Sequence, residues 1–374
     1  MQKLLQSLLW LSLLTLLGVI VLFQLNFETE AKVLTCIFFV FLLAGINASG
    51  FLKGFSYTIW VIAAATLSMM FPAFITNIGG FNTENLIVPL IQLIMFGMGT
   101  TMGIKDFAGV LKMPKGVIIG VVLHFTFMAL IALLLTSTIN FTPEIAAGIV
   151  LIGSVPCGVS SNILNFLSKG NLALSITITS IATLVSPFVT PFLMQQLAGQ
   201  FIPIDLPGMI LSISKMIFAP LIAGIIFNKL FGNRIAWLNT TMPLVAMAAN
   251  VFIIAVIVAA GRDSLLTIGL LLFLAAIIHN ALGFASGYWA SRLLKMNKRD
   301  SRTIAIEVGL ANGGMAAGIA FELGRAATMG LYPAIFGTWM DISGSFLANW
   351  WRKEPVDDEK LVESGEWKVE SASE

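Results

Sequence analysis

Runs of about 20 mostly apolar residues follow one another along nearly the whole chain, a pattern that fits a bilayer as solvent. Windows of that length predict twelve spans: 4–23, 32–48, 57–75, 85–103, 116–137, 143–167, 171–196, 206–228, 234–260, 264–290, 300–323 and 327–350. With 57% hydrophobic and 11% charged residues and a mean hydropathy of +0.93, a water-soluble core-and-shell domain is excluded. The first run, from Leu4 to Phe23, exceeds a signal-peptide core and no small-x-small cleavage site follows it, so it reads as a span.

The charges orient these spans. Loops after even-numbered spans carry Lys53, then Lys105, Lys112 and Lys115, then Lys169, Lys229 with Arg234, the group Arg292, Lys295, Lys298, Arg299 and Arg302, and finally Arg352 with Lys353. Loops after odd-numbered spans carry Glu28, Glu30, Lys32, Glu84, Glu144, Asp205, Arg262 with Asp263, and Arg325. Basic loops stay in the cytoplasm, so both termini are expected on the cytoplasmic side of a bacterial inner membrane. The net charge of +2 hides an acidic end: residues 352–374 hold eight of the nineteen acids and four of the 21 bases, leaving 17 bases against 11 acids elsewhere. That polar tail is expected to be disordered and solvated. Cys36 and Cys157 both lie in apolar stretches and suggest neither a disulfide framework nor a metal cluster.

Two spans are interrupted. The sixth contains Gly153-Ser154-Val155-Pro156-Cys157-Gly158-Val159-Ser160-Ser161-Asn162, and the eleventh contains Glu307-Val308-Gly309-Leu310-Ala311-Asn312-Gly313-Gly314-Met315-Ala316. Proline removes a helix donor and glycine lets the backbone unwind, which hydrocarbon tolerates only where protein, ions or water satisfy the freed groups. Each break is fourth in a group of five spans, 3–7 and 8–12. Five spans per half force opposite orientations, an inverted repeat with paired broken helices near the midplane. The competing reading is two unrelated helix-packing motifs of small residues.

Glu307 lies beside the second break with no Lys or Arg next to it in sequence. A carboxylate in the membrane interior costs about 2.5 kcal/mol or more, so it needs a cation or a proton. Ser160, Ser161 and Asn162 follow the first break, and Ser175, Thr177 and Thr179 lie on the next helix, with Ser175 and Thr179 on one face. Neutral oxygens of this kind suit a hard monovalent cation, although Ser and Thr in membrane helices also bond back to their own backbone.

Over residues 57 to about 350 the chain resembles the bile acid:sodium symporter superfamily, bacterial branch. The resemblance rests on Phe96-Gly97-Met98-Gly99-Thr100-Thr101-Met102 with Lys105-Asp106-Phe107, on Pro156 to Asn162 with Lys169-Gly170, and on Leu174-Ser175 through Ser186-Pro187. It continues in His279-Asn280 with Gly283 and Gly287-Tyr288, in Glu307-Val308-Gly309 with Asn312, and in Ala334-Ile335-Phe336 with Ile342-Ser343-Gly344-Ser345.

The resemblance implies an all-α membrane protein, a ten-helix inverted-repeat transporter with panel and core domains and two crossed broken helices. Residues 1–55 would add two extra N-terminal helices. The first repeat would span 57–196 (panel 57–104, core 115–196) and the second 206–350 (panel 206–260, core 264–350), with a tail from 352 to 374. A first Na⁺ site maps onto Ser161, Asn162, Ser175, Thr179 and Glu307. At the family's second site two glutamines are replaced by His124 and Ala311, which puts that site in doubt and leaves His124 as a polar or proton-linked neighbour. Substrate contacts are expected from His124 and from free amides at Gly158, Val159, Ser160, Asn312, Gly313 and Gly314, where half-helices begin and a carboxylate would dock. Asp341 is expected to pair with a polar group of the core, and His279 to serve packing.

The function expected is therefore sodium-coupled symport of a small organic anion, with the bilayer as its environment, no nucleic-acid partner and no oligomeric state assigned. A proton-coupled symporter or cation/proton antiporter on a similar fold is the alternative within transport, though an antiporter would want an Asp pair or Asp–Lys partner at the crossing. A non-transporting sensor or an intramembrane enzyme are alternatives of another class. The enzyme reading is opposed by only two histidines and no nucleophile–base or metal-ligand pattern.

Overall fold

Proline and glycine punctuate an otherwise helical chain, and the computed structural model, which describes residues 2–48, 56–101, 112–231 and 236–354, follows that punctuation. The first helices are α1 (Gln2–Gln24), α2 (Glu28–Gly45), α3 (Ser56–Met70), α4 (Ile87–Thr101) and α5 (Pro114–Thr138). The sixth span is two pieces, α6 (Pro143–Ser154) and α7 (Ser160–Leu167), followed by α8 (Leu172–Leu193), α9 (Leu206–Phe231), α10 (Ala236–Ala260) and α11 (Arg262–Leu293). The eleventh span is likewise α12 (Lys298–Gly309) and α13 (Gly313–Glu322), and α14 (Leu331–Lys353) closes the fold.

Each predicted span therefore has its helix or its pair of half-helices. The third ends early: Phe71 adopts φ −128° before Pro72, and a short helix Pro72–Thr76 follows. A two-residue hairpin, Asn77–Ile78 with Phe81–Asn82, turns through Gly79 and Gly80 at φ 61° and 88°. Among the described residues, six helices are long and apolar enough to cross a membrane unaided: Lys3–Gln24, Pro114–Thr138, Leu172–Ala198, Leu206–Phe231, Thr241–Ala260 and Arg262–Leu293. Large apolar side chains such as Trp10, Leu270 and Trp289 point outward, as lipid-facing surfaces require.

Loops that the charge pattern puts on one side lie together in the structure. Glu144 and Arg325, both assigned to loops after odd-numbered spans, form an ion pair. From the other set, Asn171 Nδ2 donates to Asp300 Oδ1 at 2.8 Å and Lys298 lies 3.9 Å from Glu354. Lys53, Lys105, Arg234 and the acidic tail from residue 355 lie outside the described residues.

The helices divide into two packing groups. In one, α4 packs on α9 and α10, and α10 on α3. Gly99 and Gly224 let α4 and α9 touch: a Cβ on Gly99 would fall 2.3 Å from the Leu221 carbonyl oxygen. In the other, α5, α6, α8, α11, α12 and α14 surround the two breaks.

Candidate functional site

The breaks satisfy each other. Pro156 has no N–H and holds Val155 extended (ψ 159°), so α6 stops at Ser154. Helix α12 stops at Gly309 with Leu310 extended, and Asn312 starts α13 by accepting the Met315 N–H on its Oδ1 at 3.0 Å. The two extended stretches lie antiparallel, Cys157 opposite Ala311. The Gly158 amide donates to the Leu310 carbonyl at 2.9 Å and the Asn312 amide to the Pro156 carbonyl at 2.8 Å. Backbone in hydrocarbon must find such partners. Gly158 is fixed by this approach, since a Cβ there would sit 2.8 Å from the Ala311 oxygen.

The bridge changes one expectation. The amides of Gly158 and Asn312 are consumed by it, and that of Gly313 bonds to the Ala311 carbonyl, so these three are not free for a ligand. By helix geometry the amides left over are those of Val159, Ser160 and Gly314, at the starts of α7 and α13. Val159 side chain is 39% exposed, and Ser160, Gly313 and Gly314 are partly so.

Glu307, the third-last residue of α12, is fully buried behind the crossing. Ser175 donates to its Oε1 at 2.5 Å and Thr179 to its Oε2 at 2.9 Å. The Ser161 hydroxyl and the Cys157 thiol also lie near the carboxylate. Asn162 Oδ1 accepts from Ser175 at 2.8 Å, and the Ser161 and Thr179 hydroxyls are 3.3 Å apart. The five residues mapped to a sodium site thus converge.

Their chemistry fits a cation. The single proton of Ser175 lies between two acceptors, Glu307 and Asn162, and that of Thr179 between Glu307 and the Ser175 carbonyl at 3.0 Å. Oxygen lone pairs outnumber the protons to fill them, a deficit that a hard cation among oxygen ligands removes. Among the described residues no basic side chain forms an ion pair with Glu307.

Sequence reasoning missed Asn165. Its Nδ2 donates to Glu307 Oε1 at 3.1 Å and to Ser175 Oγ at 2.9 Å, while its buried Oδ1 has no partner among the described residues. The available signal was its place three residues after Asn162 on the same helix face. Cys157 was read as a small packing residue, and touches Glu307. Thr177 turns away, its hydroxyl returning to the Ala173 carbonyl at 2.8 Å.

His124 differs from the expectation of a residue lining an open cleft. It is fully buried, with Nδ1 2.9 Å from the Glu307 carbonyl and Nε2 2.8 Å from that of Val155. A neutral ring has one N–H, so it donates to one of these carbonyls and lies against the other, between the ends of both breaks. His279 is a packing residue as expected, held by the Tyr332 hydroxyl and the Met128 carbonyl at 3.0 Å each.

A helical membrane protein with two half-helix pairs meeting over a buried carboxylate belongs to the class of multi-pass transporters, and comparison with known proteins agrees. Residues 88–268 match the model of the Sodium Bile acid symporter family. The chain is 38% identical over 302 residues, 80% of its own length and 92% of the relative's, to the "Uncharacterized sodium-dependent transporter YocS" of Bacillus subtilis. It is 30% identical over 298 residues, 80% of this chain and 73% of the other, to the "Probable sodium/metabolite cotransporter BASS1, chloroplastic" of Arabidopsis thaliana. The chain belongs to the sodium/bile acid symporter family, whose relatives here are named as sodium-dependent transporters or cotransporters and not as enzymes.

Proposed function

We propose that this chain is a secondary active symporter that couples Na⁺ entry to uptake of a small organic acid by alternating access, in the cytoplasmic membrane of a bacterium with both termini inside. The observation that carries this reading is Glu307: a fully buried carboxylate, unpaired with any base among the described residues, set among the oxygens of Ser161, Asn162, Ser175 and Thr179. Those five residues hold the ion, and Asn165 orients the carboxylate. The substrate carboxylate docks at the Ser160 and Gly314 amides with the Asn312 side-chain nitrogen. The α3–α4–α9–α10 group is the panel against which the remaining core rocks. Binding of ion and substrate at one crossing couples their movement.

One Na⁺ is carried per cycle. At the two positions where the family's second site has glutamines, His124 lies against the Glu307 and Val155 carbonyls and Ala311 brings no side-chain oxygen. Entry of one Na⁺ down ~100 mV releases about 2.3 kcal/mol. A tenfold concentration gradient adds about 1.4 kcal/mol. A monoanion returns the electrical part, so it accumulates roughly tenfold.

The test is flux into proteoliposomes holding the full chain, with labelled small carboxylates and an inward Na⁺ gradient. Uptake that collapses when choline replaces Na⁺, with a Hill coefficient for Na⁺ near one, is expected. A coefficient near two refutes the single-ion stoichiometry, and Na⁺-independent flux refutes the coupling.

A further inference from the structure

A second buried carboxylate stands on the substrate side of the crossing and plays no part in holding the ion. Asp341, on α14, is 8% exposed. The hydroxyl of Ser160, at the start of α7, lies beside it. Its Oδ1 has no partner among the described residues, and no Lys or Arg there pairs with it. Tyr57, on α3 across the boundary between the two packing groups, lies within electrostatic reach of it. The Tyr57 hydroxyl accepts from Asn250 Nδ2 at 2.5 Å, and the Asn250 amide in turn abuts Gly314, whose Cβ would be 3.2 Å from its Oδ1. Ser160, Gly314 and Asp341 from one group thus meet Tyr57 and Asn250 from the other, where a cargo must bind if the groups move against each other.

A bare carboxylate docking at the Ser160 amide would meet Asp341 as a nearby like charge, an arrangement that disfavours binding. A buried carboxylate oxygen with nothing opposite it calls for a positive partner. A metal ion fits less well: the neighbours are single hydroxyls and an amide, and no cluster of three or more His, Cys, Asp or Glu exists among the described residues.

We propose that Asp341 binds a cationic group of the cargo, so that the transported acid is a zwitterion, its carboxylate at the half-helix amides and its ammonium against Asp341. The inference rests on the symport reading and names its substrate class. It also bears on energetics. A zwitterion returns none of the electrical driving force, so one Na⁺ supports about 500-fold accumulation rather than roughly tenfold.

The purified full chain is tested by thermal shift, with and without Na⁺, against matched pairs: alanine and propionate, 4-aminobutyrate and butyrate, 6-aminohexanoate and hexanoate. At least one amino member is expected to bind ten times more tightly than its des-amino partner. Asp341→Asn is expected to reduce that ratio below three while stabilisation by Na⁺ alone persists. Equal binding within every pair, or no binding by any amino member, overturns the proposal, and this wild-type comparison decides even if the variant does not fold. A variant that keeps the amine preference but loses the Na⁺ response makes Asp341 an ion ligand and also overturns it. If Na⁺ itself neither stabilises the wild type nor alters ligand binding, the coupling reading fails, while the pair ratio still reports on Asp341.

Discussion

Glu307 and Asp341 are both carboxylates almost wholly withdrawn from solvent, on core helices beside the same crossing, yet their surroundings differ in kind. Glu307 has partners on both oxygens, supplied by α7, α8 and the first break. Asp341 has a single hydroxyl beside it and one buried oxygen without a partner among the described residues. Several partners hold the Glu307 carboxylate in one geometry, which a small ion of fixed radius needs. Partial satisfaction leaves room for a group that arrives with its own donor. On the reading proposed above, the first holds the ion and the second meets the cargo.

The largest effect is expected from Glu307→Gln. The variant keeps the shape and still offers hydrogen bonds to Ser175 and Thr179, but removes the charge opposite the cation. Taking one partner from a buried pair costs roughly 3–5 kcal/mol, so Na⁺-driven accumulation falls at least about 100-fold and thermal stabilisation by Na⁺ disappears. Retention of either erases the distinction between the two carboxylates. Asn165→Ala comes next. It leaves the charge and deletes a hydrogen bond to a charged group, worth about 1.5–3 kcal/mol, so half-saturating Na⁺ rises tenfold or more while a saturating Na⁺ concentration restores transport. Measured Na⁺ titrations of uptake separate these outcomes.

Much of this was legible in the chain because a membrane imposes strong local rules. Pro156 and the glycines announced both breaks, the alternation of Glu144 and Arg325 with Asp300 and Lys298 announced which loops share a side, and Glu307 announced itself by its cost. The family pattern added the ligand set around Glu307. What stayed hidden was set by long-range contact. Nothing local shows that the Gly158 and Asn312 amides are spent on each other's break, since the partners are about 150 residues apart. Asn165 escaped because attention fell on residues adjacent to the break rather than one turn further along the helix. His124 was legible as a substitution, but not as a ring wedged between two carbonyls from separate breaks.

Thr177 and Thr179 give the finest version of the comparison, and the smallest expected change. Both lie on α8, both are nearly fully buried, and both return a hydroxyl bond to the carbonyl four residues back. Two residues apart on a helix, they point in nearly opposite directions. Only Thr179 reaches Glu307 and Ser161. Valine is close in shape to threonine and removes just the hydroxyl, so Thr179→Val takes one oxygen from the cation set and one proton from the carboxylate. Half-saturating Na⁺ is expected to rise about five- to tenfold, the effect of losing one hydrogen bond of about 1 kcal/mol or slightly more. Thr177→Val takes no oxygen from the Glu307 carboxylate, and the Ala173 carbonyl survives the lost return bond through its own ladder, so half-saturating Na⁺ shifts by less than about twofold. Equal shifts in the two variants would mean that helix α8 responds to lost hydroxyls in general, and the ion would then have to be sought elsewhere than among the oxygens facing Glu307.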